Sequence, residues 1–249
     1  MRKTIVIDCF PESVARYRHG YAVVAVDVVR ATTTAITAAA TGRRCFPVDT
    51  VAAALELADR LGNAVLAGEQ RGVMPSGFDL NNSPTALLAR ADIERPVVLL
   101  SSSGTTLCHE ASKCDAAFLA CLRNYASVAM HLVLGGFPSV AVIGAGSGGE
   151  FREEDQMCCA WVAEQLLNAG YLPKDNNTIR MIRRWSKKPV DAWIENKSAR
   201  YLRASGQIAD LEFILRSISD LTVPFTLQNG EVIMGECDSE SAFKEVVSN

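Results

Sequence analysis

The chain has 249 residues, 49% hydrophobic and 21% charged, a globular composition with room for one large α/β domain or two small ones. A formal net charge of −3 and a pI of about 5.7, with no Lys/Arg block, argue against a nucleic-acid partner. The opening MRKTIVIDCF is interrupted by Asp8 and is too short for a secretory leader. No stretch approaches the roughly 18 apolar residues of a membrane span, so the expected location is the cytoplasm, without a membrane partner.

Strand-like runs recur at 4–9, 22–28, 45–48, 64–67, 96–101, 116–120 and 139–143. Helix-like segments lie between them at 34–40, 51–61, 84–91 and 125–134. Several of the strands are apolar on both alternating faces, as strands between two helix layers are. The pattern predicts an α/β fold: a three-layer α/β/α domain with a largely parallel sheet. After Gly170 the texture changes. Residues 174–218 hold two or three amphipathic helix candidates, including 197–204 and 208–218, and 223–235 carries the hairpin signal Asn229-Gly230. The expected organisation is a core over 1–170, with C-terminal helices and a hairpin over 171–249 packed on it. A boundary near 171–177 or one continuous domain both fit. The helix faces of 174–218 suit either a homodimer surface or plain solvation. Cysteines at 9, 45, 108, 114, 121, 158, 159 and 237 form no C-x-x-C pair and read as small core residues of a reducing compartment.

In open α/β sheets, ligands sit beyond the carboxyl ends of strands. The strand exits here are unusually polar: DVVRATTT (27–34), GEQRGVMPSGFDLNNSP (68–84), SSSGTT (101–106), CLRN (121–124) and GAGSGGEFREED (144–155). Thr32, Thr33 and Thr34 either cap the next helix or, with Arg30, hold an anion. The loop of Ser102, Ser103, Gly104 and Thr105 has the same two readings, a tight turn or a nest of donors. Asp27, Glu69, Asp79, Glu154 and Asp155 would repel that anion unless a hard cation such as Mg²⁺ bridges carboxylates and phosphate oxygens. Glu154 and Asp155 also suit the first turn of a helix with no ligand at all. Asp27 ends an apolar strand, where an unpaired carboxylate is costly.

Gly144, Gly146 and Gly149 spell the dinucleotide fingerprint G-x-G-x-x-G. The helix behind them opens with Glu153, Glu154 and Asp155, where pyrophosphate would need a bare N-terminus. An NAD-dependent oxidoreductase is therefore the weakest reading. Other phosphatase signatures also fail. Arg18-His19-Gly20 precedes a strand instead of following one, no cysteine is followed by five residues and an arginine, and Asp27 lacks a second Asp two places on.

The four ordered motifs DVVRATTT, GEQRG with GFDLNNSP, SSSGT and GAGSGGEFREED resemble those of the 2-phosphosulfolactate phosphatase family. The resemblance covers residues 1–170 and extends through KSARYLRASGQIADLEF and Val223-Pro224. It implies a Mg²⁺-dependent acid phosphatase acting on a small anionic phosphorylated substrate, a sulfonated hydroxy acid of the coenzyme M pathway. By resemblance, Asp27, Arg30, Glu69, Asp79, Asn82, Ser83, Glu154 and Asp155 match the family's motif positions. Gln70, Asn81 and Ser103 depart from the family pattern, and Arg71 offers a displaced guanidinium. The departures leave open a non-catalytic binder of an anionic metabolite. The catalytic reading assigns Asp27, Arg30 and Glu69 to chemistry. It assigns Asp27, Glu69, Asp79, Glu154 and Asp155 to metal. The phosphate and the other anionic groups of the substrate fall to Arg30, Thr32–Thr34, Arg71, Asn82, Ser83 and Ser102–Thr105.

Overall fold

The computed structural model describes residues 2–236. The first half runs β1 (Thr4–Cys9), a short 3-10 segment Pro11–Tyr17, β2 (Ala22–Val26), α1 (Ala31–Ala40), β3 (Cys45–Val48), α2 (Val51–Leu61), β4 (Val65–Gly68), α3 (Pro84–Leu88) and β5 (Val97–Leu100). The second runs α4 (Gly104–Ala111), β6 (Ala116–Ala120), α5 (Tyr125–Leu134), β7 (Ser139–Gly144), α6 (Glu153–Asn168), β8 (Leu172–Pro173), α7 (Asn176–Trp185), α8 (Lys197–Ala204), α9 (Ile208–Arg216), β9 (Phe225–Gln228) and β10 (Glu231–Met234).

The strands form two sheets, where the sequence pattern had suggested one. The main sheet has the order β10-β9-β6-β2-β7-β1-β8, and the second has the order β3-β5-β4. Strands β1, β2, β6, β7 and β8 pair in parallel, and the β9–β10 hairpin joins the β6 edge antiparallel. The second sheet is parallel throughout.

Side-chain alternation assigns the two faces of the main sheet. Ile5, Ile7, Val24, Val26, Val140 and Val142 point into one core with α5, α6 and the C-terminal helices. Val6, Val23, Ala25, Ala141 and Ile143 point into the other, with α1 and α4. The main sheet is thus the middle of an α/β/α sandwich. Helices α1 and α4 also touch β3, and α2 covers the far face of the second sheet. This explains the sequence of α1, ATTTAITAAA, which is buried at every position but the last. A helix between two sheets has no solvent face, so it shows no amphipathic stripe.

The hairpin predicted at 223–235 forms, with Asn229 and Gly230 at positive φ as a tight turn requires. Residues 171–236 contribute β8, β9 and β10 to the main sheet itself. The seven cysteines among the described residues are free, and Cys237 lies outside the described residues. No helix among them is long and apolar enough to cross a membrane.

Candidate active site

The predicted strand at 22–28 ends at Val26, and its last residues turn out of the sheet instead. Asp27 is 8% exposed, and its Oδ1 accepts the Ala31 amide at 3.2 Å. Burial raises its carboxyl from the ordinary 3.8 to about 7, and the nearby charges of Glu154 and Glu69 add to that. The Ala31 amide and Arg30 offset part of it.

Gly104, the first residue of α4, packs directly on this carboxylate. A Cβ there would lie 2.0 Å from Asp27 Oδ2 and 2.4 Å from the Ala31 Cβ, so only glycine fits.

The glycine run after β7 does a different task from the fingerprint it spells. Gly146 has φ +62°, and a Cβ would lie 2.7 Å from both the Glu150 carbonyl and the Phe10 ring. Its amide donates to Asp155 Oδ2 at 3.2 Å, and Val28 N donates to Oδ1 at 2.8 Å. The loop therefore folds back onto an acid of its own helix and presents that acid to the cavity. Glu154, beside it, is 1% exposed and accepts from Asn196 Nδ2 at 2.5 Å. Burial pushes both carboxyls up, Asp155 well above its ordinary value, with Asp27 and Glu154 adding repulsion at Asp155.

Glu69 follows β4 and is half-buried. Its carboxylate accepts from Ser102 N at 2.7 Å, Ser102 Oγ at 3.0 Å and Gly72 N at 2.5 Å, tying the exits of β4 and β5 together. Ser102 Oγ also accepts the Arg71 amide at 2.6 Å.

These groups face one cavity of about 620 Å³ between the carboxyl ends of the two sheets. Of the sequence-predicted residues, Asp27, Arg30, Glu69, Arg71, Asn82, Ser102, Ser103, Glu154 and Asp155 line it. The structure does not bring Asp79 there. Asp79 is exposed, and its Oδ2 accepts from Leu66 N at 2.9 Å at the side of β4. Nor do Thr32, Thr33, Thr34, Ser83, Gly104 or Thr105 line the cavity.

Four of these five hydroxyls have internal partners instead. Thr32 Oγ1 donates to the carbonyls of Asp27 and Ala120, and Thr33 Oγ1 to that of Val28. Thr105 Oγ1 closes the Ser101 turn, and Ser83 Oγ caps α3. Thr34 Oγ1 is buried without a partner among the described residues.

Arg30 reaches the cavity but is not free. Its side chain is 3% exposed, and Nη1 donates to Asp210 Oδ2 at 2.5 Å and to Gln207. Asp210 Oδ1 in turn accepts from Ser83 Oγ at 2.8 Å and Thr85 Oγ1 at 2.5 Å. Sequence reasoning missed Asp210, whose only signal was an acid in the first turn of the helix segment IADLEFIL, which also carries Glu212. It also missed the wall formed by Arg152, Lys197, Ser198 and Tyr201. Tyr201 Oη donates to the Gly72 carbonyl at 2.6 Å and joins α8 to the turn after β4.

The donor set suits a hard cation. Asp27, Glu154 and Asp155 are buried carboxylates facing one space, with no ion-pair partner among the described residues. Among those residues, no group of three or more His, Cys, Asp or Glu side chains is placed to hold a metal ion by itself. Mg²⁺ requires none, since it keeps several waters and takes one or two carboxylates plus phosphate oxygens.

Comparison with known proteins identifies the family of the chain. The family model described as 2-phosphosulpholactate phosphatase matches residues 9–229. A probable 2-phosphosulfolactate phosphatase of Deinococcus radiodurans is 29% identical over 84% of this chain and 89% of its own length. Its counterpart in Thermus thermophilus is 31% identical over 81% and 86%, and that of a Synechococcus species 32% over 66% and 74%. The chain belongs to the 2-phosphosulfolactate phosphatase family, and its class of enzyme is the phosphoric monoester hydrolases.

Proposed function

We propose that this enzyme hydrolyses 2-phosphosulfolactate to sulfolactate and phosphate in the cytoplasm, with Mg²⁺, on the route to coenzyme M. The observation that carries the reading is the meeting of Asp27, Glu154 and Asp155, buried and without an ion pair among the described residues, in a cavity that Arg30 and the Ser102–Ser103 turn also line. Mg²⁺ held by Asp27 with Glu154 or Asp155 would neutralise charge on the phosphoryl oxygens. Glu69 braces the Ser102 turn, whose backbone and hydroxyls face the same space. Arg30, fixed by Asp210, presents a guanidinium edge that cannot swing away when substrate leaves. Asp27 stands nearest the chemistry, either as the attacking carboxylate or as the base that orients water. Both roles require its ionised form, which a cation held beside it would favour. The ester P–O bond breaks, oxygen from water ends on phosphorus, and the hydroxy acid leaves with a proton.

Phosphate release from 2-phosphosulfolactate and from phenyl phosphate, with Mg²⁺ and with EDTA, tests this reading. EDTA-sensitive release supports it. Binding of the sulfonated ester without turnover would instead identify a non-catalytic binder, the reading motivated by Gln70, Asn81 and Ser103.

A further inference from the structure

The floor of the cavity is acidic, and on the proposed reading a cation held there would take the phosphoryl group. The carboxylate and sulfonate of the substrate then need cations elsewhere on the same wall, and two stand at the rim. Arg152 precedes α6 and Lys197 opens α8, and both line the cavity. They are bridged by a single carboxylate, Glu150, which accepts from Arg152 Nη1 at 2.8 Å and also from Lys197 Nζ. The Arg152 side chain is only 18% exposed, and its Nε is buried with no hydrogen-bond partner among the described residues. Glu150 is 50% exposed, on the loop of the glycine run.

A half-buried guanidinium with an idle donor is a poor fit to a purely structural ion pair. It suits a site whose natural occupant is an anion with more acceptor oxygens than a carboxylate. We propose that Arg152 and Lys197 bind the sulfonate or carboxylate of the substrate and so set specificity for a doubly acidic phosphate ester, and that Glu150 occupies these cations until that group displaces it. This inference rests on the hydrolytic reading of the same cavity. Arg152 and Lys197 lie far apart in sequence, and the topology brings them to one rim.

Steady-state kinetics on 2-phosphosulfolactate and on phenyl phosphate, which lacks a second acid, provide the test. Arg152→Ala is expected to raise KM for the sulfonated ester about tenfold to hundredfold, the loss of a charge-assisted bond, with kcat changed about threefold or less. Its kcat/KM for phenyl phosphate should fall by only about threefold or less. Arg152→Lys should recover part of the lost affinity. Glu150→Gln should lower KM for the sulfonated ester about twofold to fivefold, because a competing anion is removed. Equal losses on both esters, or a higher KM in Glu150→Gln, would overturn the proposal. If the unaltered chain released phosphate from neither ester, the hydrolytic reading would fail. Calorimetric binding of sulfolactate would still decide this inference, supporting it by a loss of about tenfold in Arg152→Ala and overturning it by none.

Discussion

The floor and the rim of the cavity are built on opposite principles. The floor acids Asp27, Glu154 and Asp155 come from the exits of two neighbouring strands, β2 and β7, and backbone amides hold Asp27 and Asp155. They are buried and carry little conformational freedom. The rim residues Arg71, Ser102, Arg152 and Lys197 come from both sheets' loops and from α8, and are more exposed. A rigid acid floor under an adjustable polar rim suits an enzyme that holds one reacting group fixed and sorts its ligands by the rest.

The comparison breaks most readily at Asp27. Asp27→Asn keeps the volume and hydrogen-bonding capacity but loses the charge. Phosphate release should fall by about a thousandfold, with the thermal midpoint held or raised. Retained activity with unchanged Mg²⁺ dependence would remove Asp27 from the chemistry.

Next in size is the anchor joining floor and C-terminal helices. Asp210→Ala leaves the Arg30 guanidinium buried without its counter-charge and should cost about 3–5 kcal/mol in denaturant unfolding. A loss within about 0.5 kcal/mol would show that water or another acceptor replaces Asp210.

Gly104→Ala drives a methyl group into Asp27 and should cost about 1–3 kcal/mol, with a disproportionate loss of turnover because the displaced atom is the Asp27 carboxylate. Unchanged kcat would mean that the α4 contact does not position Asp27.

The smallest effect is a pH dependence of the metal-free chain. Asp27 titrates near 7 in the folded state against 3.8 ordinarily, and Glu154 and Asp155 are raised too. The folded chain therefore binds more protons than the unfolded one between these values. The stabilisation is complete below about 4 and is lost as pH rises through about 7. Asp92, held low by its hydrogen bond from Arg90, supplies stability that is present across that window and is lost only as pH falls below it. Thermal midpoints in EDTA should decline across the window, and Mg²⁺ should flatten the decline. A midpoint that rises with pH in EDTA would contradict the uncompensated acid floor.

The floor was legible in the sequence because strand exits announce themselves: an apolar run ending in Asp27, or glycines ending in Glu154 and Asp155. The threonines were legible as helix-opening residues, but sequence could not tell whether their hydroxyls turn outward or inward. The structure turns Thr32 and Thr33 onto backbone carbonyls. Asp79 looked like Glu69 because it follows the same strand, and its partnership with Leu66 is a matter of loop geometry that composition does not encode. The second sheet was hidden for a similar reason. Apolar strands in either sheet read alike, and only the all-round burial of α1 reveals a helix between two of them. Asp210 was out of reach because its meaning depends on Arg30, 180 residues away, and Lys197 because its meaning depends on Glu150, 47 residues away.

The β9–β10 hairpin has a consequence for how the chain reaches this state. It pairs with β6, and Glu231 grips Arg44 beside β3 through two bonds of 2.8 Å, so it closes the seam between the sheets. While the chain is still on the ribosome and residues 225–234 have not emerged, β6 displays an unpaired edge, the kind of template on which nascent chains cross-associate. At the other margin, β8 is two residues long and ends in Pro173, which cannot donate a ladder hydrogen bond and blunts that edge. The interval between translating β6 and translating the hairpin is thus a vulnerable period for the nascent chain, and the hairpin is what ends it.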